Sequence, residues 1–157
     1  MPAADPGYEL VPDPPDRLAR WVRVALAVMA TGFATVLGVA AWLDPYTADG
    51  GRRVMATHTQ LGLPPCTFAE VYGKPCPSCG MTTSFALLAH GDPVGSARAN
   101  WVGTLLAAYL AVLVPWAVVG AWRGRHLWVR SGELLLTVSV GVLLALMLGR
   151  WAVIMLM

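Results

Sequence analysis

Long apolar stretches separated by polar loops dominate the chain. Three of them are long enough to cross a hydrocarbon core of about 30 Å, which takes roughly 20 helical residues. They lie at about residues 21–43, 101–122 and 129–151, and the first two contain uncharged runs at 24–43 and 101–122. The pattern predicts an all-α integral membrane protein with three transmembrane helices.

Tryptophans mark the ends of these predicted spans. They stand in pairs around the three stretches: Trp21 and Trp42, Trp101 and Trp122, and Trp128 and Trp151. The members of the first two pairs are 21 residues apart, which is about 31 Å along a helix. This is the separation expected of aromatic belts at the two membrane interfaces.

Small residues four positions apart recur in each span and predict a compact three-helix bundle, because they let helix backbones approach closely in lipid. A kink is expected at Pro115, inside the second span. The rows are Ala30, Ala34 and Gly38, then Gly103, Ala107 and Ala111, then Thr137, Gly141, Ala145 and Gly149.

Composition narrows the class of protein further. Of the 157 residues, 57% are hydrophobic and 13% are charged, about half the charged share of an ordinary soluble domain. A net charge of +2 with scattered arginines makes no basic stripe, so no nucleic-acid partner is expected. The lipid bilayer is the expected partner. The abundance of Ala, Gly, Pro and Arg indicates a bacterial source.

The chain divides into a tail and one membrane domain. Residues 1–16 hold five prolines and four acidic residues, a composition typical of disorder. Residues 17–157 form the membrane domain, in which a long loop at 44–100 joins the first two spans.

Arginine positions predict the orientation in a bacterial inner membrane. Arg17, Arg20 and Arg23 precede the first span, and Arg123, Arg125 and Arg130 crowd the loop between the second and third. Since dense Lys and Arg residues mark the cytoplasmic side, we expect a cytoplasmic N-terminus. The loop at 44–100 and the C-terminus would then face outside.

That loop carries all three cysteines of the chain, Cys66, Cys76 and Cys79. The short apolar run that follows is too short to cross the membrane and predicts an interfacial or re-entrant helix over about residues 80–89. Gly91 is a typical residue after a helix end, and Asp92 before Pro93 is typical of a helix start. Cys76 and Cys79 therefore stand at a helix N-terminus, where a thiolate would be stabilised.

The cysteine segment resembles the small bacterial membrane proteins grouped as domain of unknown function 2752. Their pattern is a cysteine, about nine residues, C-P-x-C-G-x-T-R, an apolar helix ending near G-D, and an N-P pair. The matching residues are Cys66, Cys76, Pro77, Cys79, Gly80, Thr82, Gly91, Asp92 and Asn100. Thr83 stands where the family has Arg, and Trp101 where it has Pro. The resemblance implies a shared architecture and site, and no reaction.

A metal site is one hypothesis for the cysteines. The C-x₂-C pair places two thiolates on one ion, Cys66 adds a third, and His90 or His58 would complete a set that favours zinc. A typical zinc signature has two pairs of ligands. This chain has one complete pair, Cys76 and Cys79, and a single cysteine, Cys66, of a second. His90 ends the short helix, where it could instead cap the helix dipole, and His58 lies in a polar stretch and is expected to be solvated.

Two other interpretations remain open. C-P-x-C at a helix N-terminus is typical of thiol–disulfide oxidoreductases, although no βαβ pattern surrounds Cys76 and Cys79. Alternatively, a disulfide from Cys66 to Cys76 or Cys79 would staple the loop and leave one thiol over, or all three are buried small residues.

The sequence favours a non-catalytic membrane module whose cysteine loop binds a metal or is stapled by a disulfide. Another membrane protein is a candidate partner. The alternative is an enzyme, a membrane thiol–disulfide oxidoreductase using Cys76 and Cys79. Arg150 is a candidate substitute for the arginine missing at Thr83, since three crossings place it on the side of the cysteine loop.

Overall fold

The computed structural model describes residues 17–125 and 132–157. This part of the chain is helical, with α1 at Arg20–Trp42, α2 at Thr67–Tyr72, α3 at Met81–Ala89, α4 at Pro93–Arg123 and α5 at Gly132–Leu156. A 3₁₀ helix spans Thr57–Leu61. The predicted tail at 1–16, Trp128 and Arg130 lie outside the described residues.

Three of the helices, α1, α4 and α5, are long and apolar enough to cross a membrane. This confirms the predicted fold class. The helix α4 begins at Pro93, before the predicted span at 101–122, and α5 continues to Leu156, beyond the predicted 129–151.

The core lies between α1, α3 and α4. Ala40 of α1, Phe85 of α3, and Ala107, Leu110 and Leu113 of α4 form one buried cluster. Phe33 and Leu37 pack against it from α1. These positions recur at the three- and four-residue spacing of one helix face.

Only part of the small-residue prediction holds. Ala30, Gly103 and Ala107 are buried, whereas Ala34 and Gly38 are exposed. No residue in the most apolar window of α5 is buried within the chain. The compact three-helix bundle is therefore wrong, because the small-residue row of α5 faces outward, and α1 packs through Ala30, Phe33, Leu37 and Ala40 rather than through its whole small-residue row.

The short helix α3 packs into the angle between α1 and α4, and the residues over Thr83–Leu87 are buried. Gly103 of α4 lets the two helices approach, since a Cβ there would collide with the Ser84 hydroxyl. After α3, Gly91 adopts a φ of +79°. Asp92 then caps α4 by accepting a hydrogen bond from the Gly95 N–H at 2.9 Å, as its sequence position predicts.

The break in α4 falls at Asn100, which has extended backbone angles of −160° and 100°. Its side chain caps the N-terminus of the second part of α4, because Oδ1 accepts a hydrogen bond from the Gly103 N–H at 3.1 Å. Pro115 lies inside α4 without such a break. The capped break at Asn100 is a feature that the sequence analysis did not predict.

The C-terminal end of α5 docks on the cysteine loop. Trp151 Nε1 donates to the Pro75 carbonyl at 3.2 Å, and Lys74 Nζ donates to the Met155 carbonyl at 2.7 Å. The rings of Phe68 and Trp151 lie 6.0 Å apart. This end of α5 therefore lies on the same side of the chain as the cysteines.

Candidate metal centre

Three sulfur atoms meet between α2 and α3. Cys66 is the residue before α2, and Cys76 and Cys79 belong to the turn before α3. The Sγ atoms of all three lie within 4.8 Å of one another. The predicted approach of Cys66 to the C-x₂-C pair is confirmed.

A tight turn brings Cys76 and Cys79 together. The Cys79 N–H donates to the Cys76 carbonyl at 3.1 Å, and the Cys76 N–H donates to Cys79 Sγ at 3.3 Å. The two Sγ atoms are 3.1 Å apart, and both thiols are free. Ser78 Oγ lies 3.3 Å from Cys76 Sγ. The thiols thus form one hydrogen-bonded cluster.

The turn is anchored to the break in α4. Gly80 has a φ of +82°, and a Cβ on it would lie 2.7 Å from the Ala99 carbonyl oxygen. Asn100 Nδ2 donates to the Cys79 carbonyl at 3.2 Å. Because the other end of the same amide caps α4, Asn100 ties the cysteine turn to the membrane helix. The sequence marked Asn100 only through the family pattern.

The thiols differ in acidity. The pKa of Cys66 is lowered from 9.0 to about 7, first by the backbone N–H of Ala69 in α2 and then by the Cys79 thiol. The pKa of Cys79 is raised to about 12, first by burial and then by the neighbouring thiols of Cys76 and Cys66. The expectation that the start of α3 stabilises a thiolate is wrong for Cys79, because its sulfur is partly buried and faces the other thiols.

The cysteines open onto a cavity of about 630 Å³. Its wall carries two residues with ligand atoms, His58 and Glu70, among apolar neighbours such as Met55, Leu63 and Met81. The His58 Nε2 donates to the Pro64 carbonyl at 3.1 Å, which leaves Nδ1 as the nitrogen able to bind a metal. His58 is thus part of this cavity; the sequence named it as a candidate fourth ligand but favoured a solvated residue. The sequence could have indicated Glu70, because it follows Cys66 by about one helical turn and so lies on the same face of α2.

His90 lies at the other end of α3. Its Nε2 donates to the Leu43 carbonyl at 3.1 Å, and its ring meets that of Tyr46 edge to face at 6.1 Å. The group of ligand atoms that lie within 4.8 Å of one another consists of the three Sγ atoms and includes neither His90 nor His58 nor Glu70. His90 instead joins the end of α1 to the end of α3.

Thr83 is buried, and its hydroxyl lies 2.9 Å from that of Thr57. The longer arginine of the family pattern would have to displace this hydroxyl pair. Arg150 approaches from α5, where its Nη2 donates to the Ala99 carbonyl at 3.4 Å. Since the Ala99 carbonyl also contacts Gly80, the guanidinium lies beside the cysteine turn. Asp92, at the start of α4, pairs with Arg52.

The helices and the thiol cluster together define a multi-span helical membrane protein with a three-cysteine site beside its spans. Residues 66–114 match the model of a family described as "Protein of unknown function (DUF2752)". The match begins at the first cysteine of the cluster and ends within α4, which confirms the resemblance found in the sequence. No curated protein and no solved structure matches the chain.

Proposed function

We propose that this chain is a non-catalytic membrane module that binds one zinc ion through Cys66, Cys76 and Cys79. The observation that carries the proposal is the approach of three Sγ atoms to within 4.8 Å of one another. Sulfur ligands about 2.3 Å from a tetrahedral zinc ion lie about 3.8 Å apart. The thiols therefore need only small shifts to coordinate the ion.

The chemistry of the donors also favours zinc. A bound ion requires thiolates, so zinc would displace the protons that the three thiols hold. The lowered pKa of Cys66 assists the first contact with the metal. Coordination would then replace the thiol–thiol hydrogen bonds that raise the pKa of Cys79.

We assign the fourth ligand to His58 rather than His90. Its ring lies on the wall of the cysteine cavity, and the Pro64 carbonyl holds Nε2 so that Nδ1 can coordinate. A backbone carbonyl on the second ring nitrogen is the usual support of a histidine ligand. His90 is hydrogen-bonded to Leu43 at the far end of α3 and serves as the matched control.

The experiment is metal analysis combined with thiol counting on detergent-purified protein. We expect one zinc per chain and three thiols that react only after chelation. With Co²⁺ in place of zinc, His58→Ala should change the visible absorption and His90→Ala should leave it unchanged. Three freely reactive thiols without metal would refute the zinc site, and a disulfide with one remaining thiol would assign the cysteines to a staple.

A membrane thiol–disulfide oxidoreductase is the second candidate, favoured by the 3.1 Å between Cys76 Sγ and Cys79 Sγ. In such a reaction the two thiols would form a disulfide and pass two electrons and two protons to a quinone or to the disulfide of a partner protein. Mass spectrometry distinguishes the two functions. Reversible loss of two hydrogen atoms at Cys76 and Cys79, with no bound metal, would favour the enzyme.

We place the module in the bacterial inner membrane with the cysteine loop outside, and we propose another membrane protein as its partner. The arginines beside α1 and after α4 support this orientation. The outward-facing α5 supports the partner, since none of its most apolar window is covered by the chain itself.

A further inference from the structure

A second potential site lies between α1 and α4, far from the cysteines. From Ala99 to Ala121, α4 runs about 33 Å, so this site belongs to the other end of the membrane helices. A groove of about 910 Å³ is open there. It is lined by small and apolar residues, including Ala27, Ala30 and Ala34 of α1 and Val114, Val118 and Ala121 of α4.

Arginines surround the end of this groove. Arg20 and Arg23 line it and also line an adjoining cavity of about 610 Å³. That cavity adds Arg17, Arg123 and Arg125. In the described part of the chain, no Asp or Glu lines either cavity. Five guanidinium groups, with no carboxylate among the described lining residues, favour the binding of an anion.

Backbone contacts hold this arginine cluster in place. The Leu18 N–H donates to the Gly124 carbonyl at 2.9 Å, and Arg17 and Arg125 form an antiparallel bridge beside it. Arg23 Nε donates to the Ala121 carbonyl at 2.9 Å. The segment before α1 is thus fastened to the end of α4, and the arginines of both meet at one place.

We propose that an anionic phospholipid binds here, with its phosphate on Arg20 and Arg23 and an acyl chain in the groove. Arginine binds phosphate oxygens in a bidentate manner, and basic pockets between membrane helices are known to hold anionic lipid headgroups. From Arg20 to Thr35 the groove follows α1 for about 22 Å. One leaflet of the hydrocarbon core is about 15 Å thick, so the groove is long enough for an acyl chain.

The charge of the groove end also opposes a second copy of this chain as the occupant. A symmetric dimer through this face would bring two arginine clusters together. A phospholipid instead offers a phosphate to the arginines and an apolar chain to the alanines and valines. Both halves of the site are then satisfied by one molecule.

The test is native mass spectrometry of the detergent-purified full chain titrated with phosphatidylglycerol or phosphatidylcholine. We expect tighter binding of phosphatidylglycerol. The double variant Arg20→Gln, Arg23→Gln should lower that affinity by about 30-fold, from about 1 kcal/mol per arginine. Arg98→Gln removes one arginine outside both cavities and should leave the affinity unchanged. Equal binding of the two lipids, or equal loss in the Arg98 variant, would overturn the proposal.

A second set of variants keeps the arginines and tests whether the groove holds an acyl chain. Ala34→Phe should fill the groove and weaken phosphatidylglycerol binding, whereas Ala25→Phe, on α1 outside the groove, should not. Competition by glycerol phosphate as strong as that by the whole lipid would show headgroup binding alone and overturn the acyl-chain site. A dimer whose formation Ala34→Phe abolishes, without bound lipid, would assign the groove to a second copy instead.

Discussion

Replacing Gly80 by alanine tests how the cysteine turn is attached to α4. Gly80 has a φ of +82°, and a Cβ there would lie 2.7 Å from the Ala99 carbonyl oxygen and 3.2 Å from the Val54 carbonyl oxygen. Both neighbours are backbone atoms, which cannot rotate away as a side chain can. The substitution should therefore push the turn off α4.

The magnitude follows from two contributions. A left-handed backbone costs an alanine roughly 1–2 kcal/mol, and forcing an extra methyl group into a packed contact costs about 1–3 kcal/mol. Gly73 provides the matched control, because its φ is +67° and no heavy atom lies within 4 Å of its added Cβ. Gly73→Ala should show the first contribution alone. Gly80→Ala should exceed it by about 1–3 kcal/mol, or about 5- to 150-fold in the equilibrium for opening of the turn.

The assay is the rate of thiol labelling at Cys79 in metal-free protein, with Cys66 and Cys76 replaced by serine so that one thiol remains. Since Cys79 is partly buried, opening of the turn should speed its labelling. Gly80→Ala should raise the rate well above that of Gly73→Ala. Equal rates in the two variants would refute the close contact between Gly80 and the backbone of α4.

Three further predictions concern acidity, the α5 contact and topology. In metal-free protein, alkylation of Cys66 should be half-maximal near its lowered pKa of about 7, while Cys79, with its pKa of about 12, should stay protonated, as peptide mapping against pH would reveal. Because its pKa is lowered on folding, Cys66 contributes stability above pH 9.0, and that contribution is lost as the pH falls through about 7. Because its pKa is raised on folding, Cys79 contributes stability below pH 9.0, and that contribution is lost as the pH rises toward 12. Arg150→Gln should change the rate of alkylation at Cys76 or Cys79, because the guanidinium binds the Ala99 carbonyl beside Gly80 and the cysteine turn, and unchanged rates at both thiols would disconnect Arg150 from the cluster. A reporter fused after Met157 should be outside and one at Gly124 cytoplasmic; reversed labelling would contradict the orientation.

The apolar runs determined the class of fold because a membrane-spanning helix needs nothing beyond its own sequence to satisfy its backbone. The bounds of α3 were also local, since Gly80, Gly91 and the Asp92–Pro93 pair are end signals that act within a few residues. The sequence likewise predicted that Cys76 and Cys79 meet, because they are three residues apart in one turn.

The rest depended on contacts between distant segments. The break in α4 lies at Asn100, where one side-chain amide both caps the helix and binds the Cys79 carbonyl. The docking of α5 through Trp151 joins residues 76 positions apart. Such contacts leave no periodic signal in the sequence.

The candidate ligands show the same division. Nothing near His58 or His90 in the sequence says which of them approaches the cysteines. The path of the loop carries His58 onto the wall of the cysteine cavity, and the direction of α3 carries His90 away to Leu43. A set of neighbouring side chains depends on where distant chain segments lie in the fold. The sequence therefore determined the candidate donors, and the tertiary structure decided that the three cysteines meet and that His58, not His90, lines their cavity.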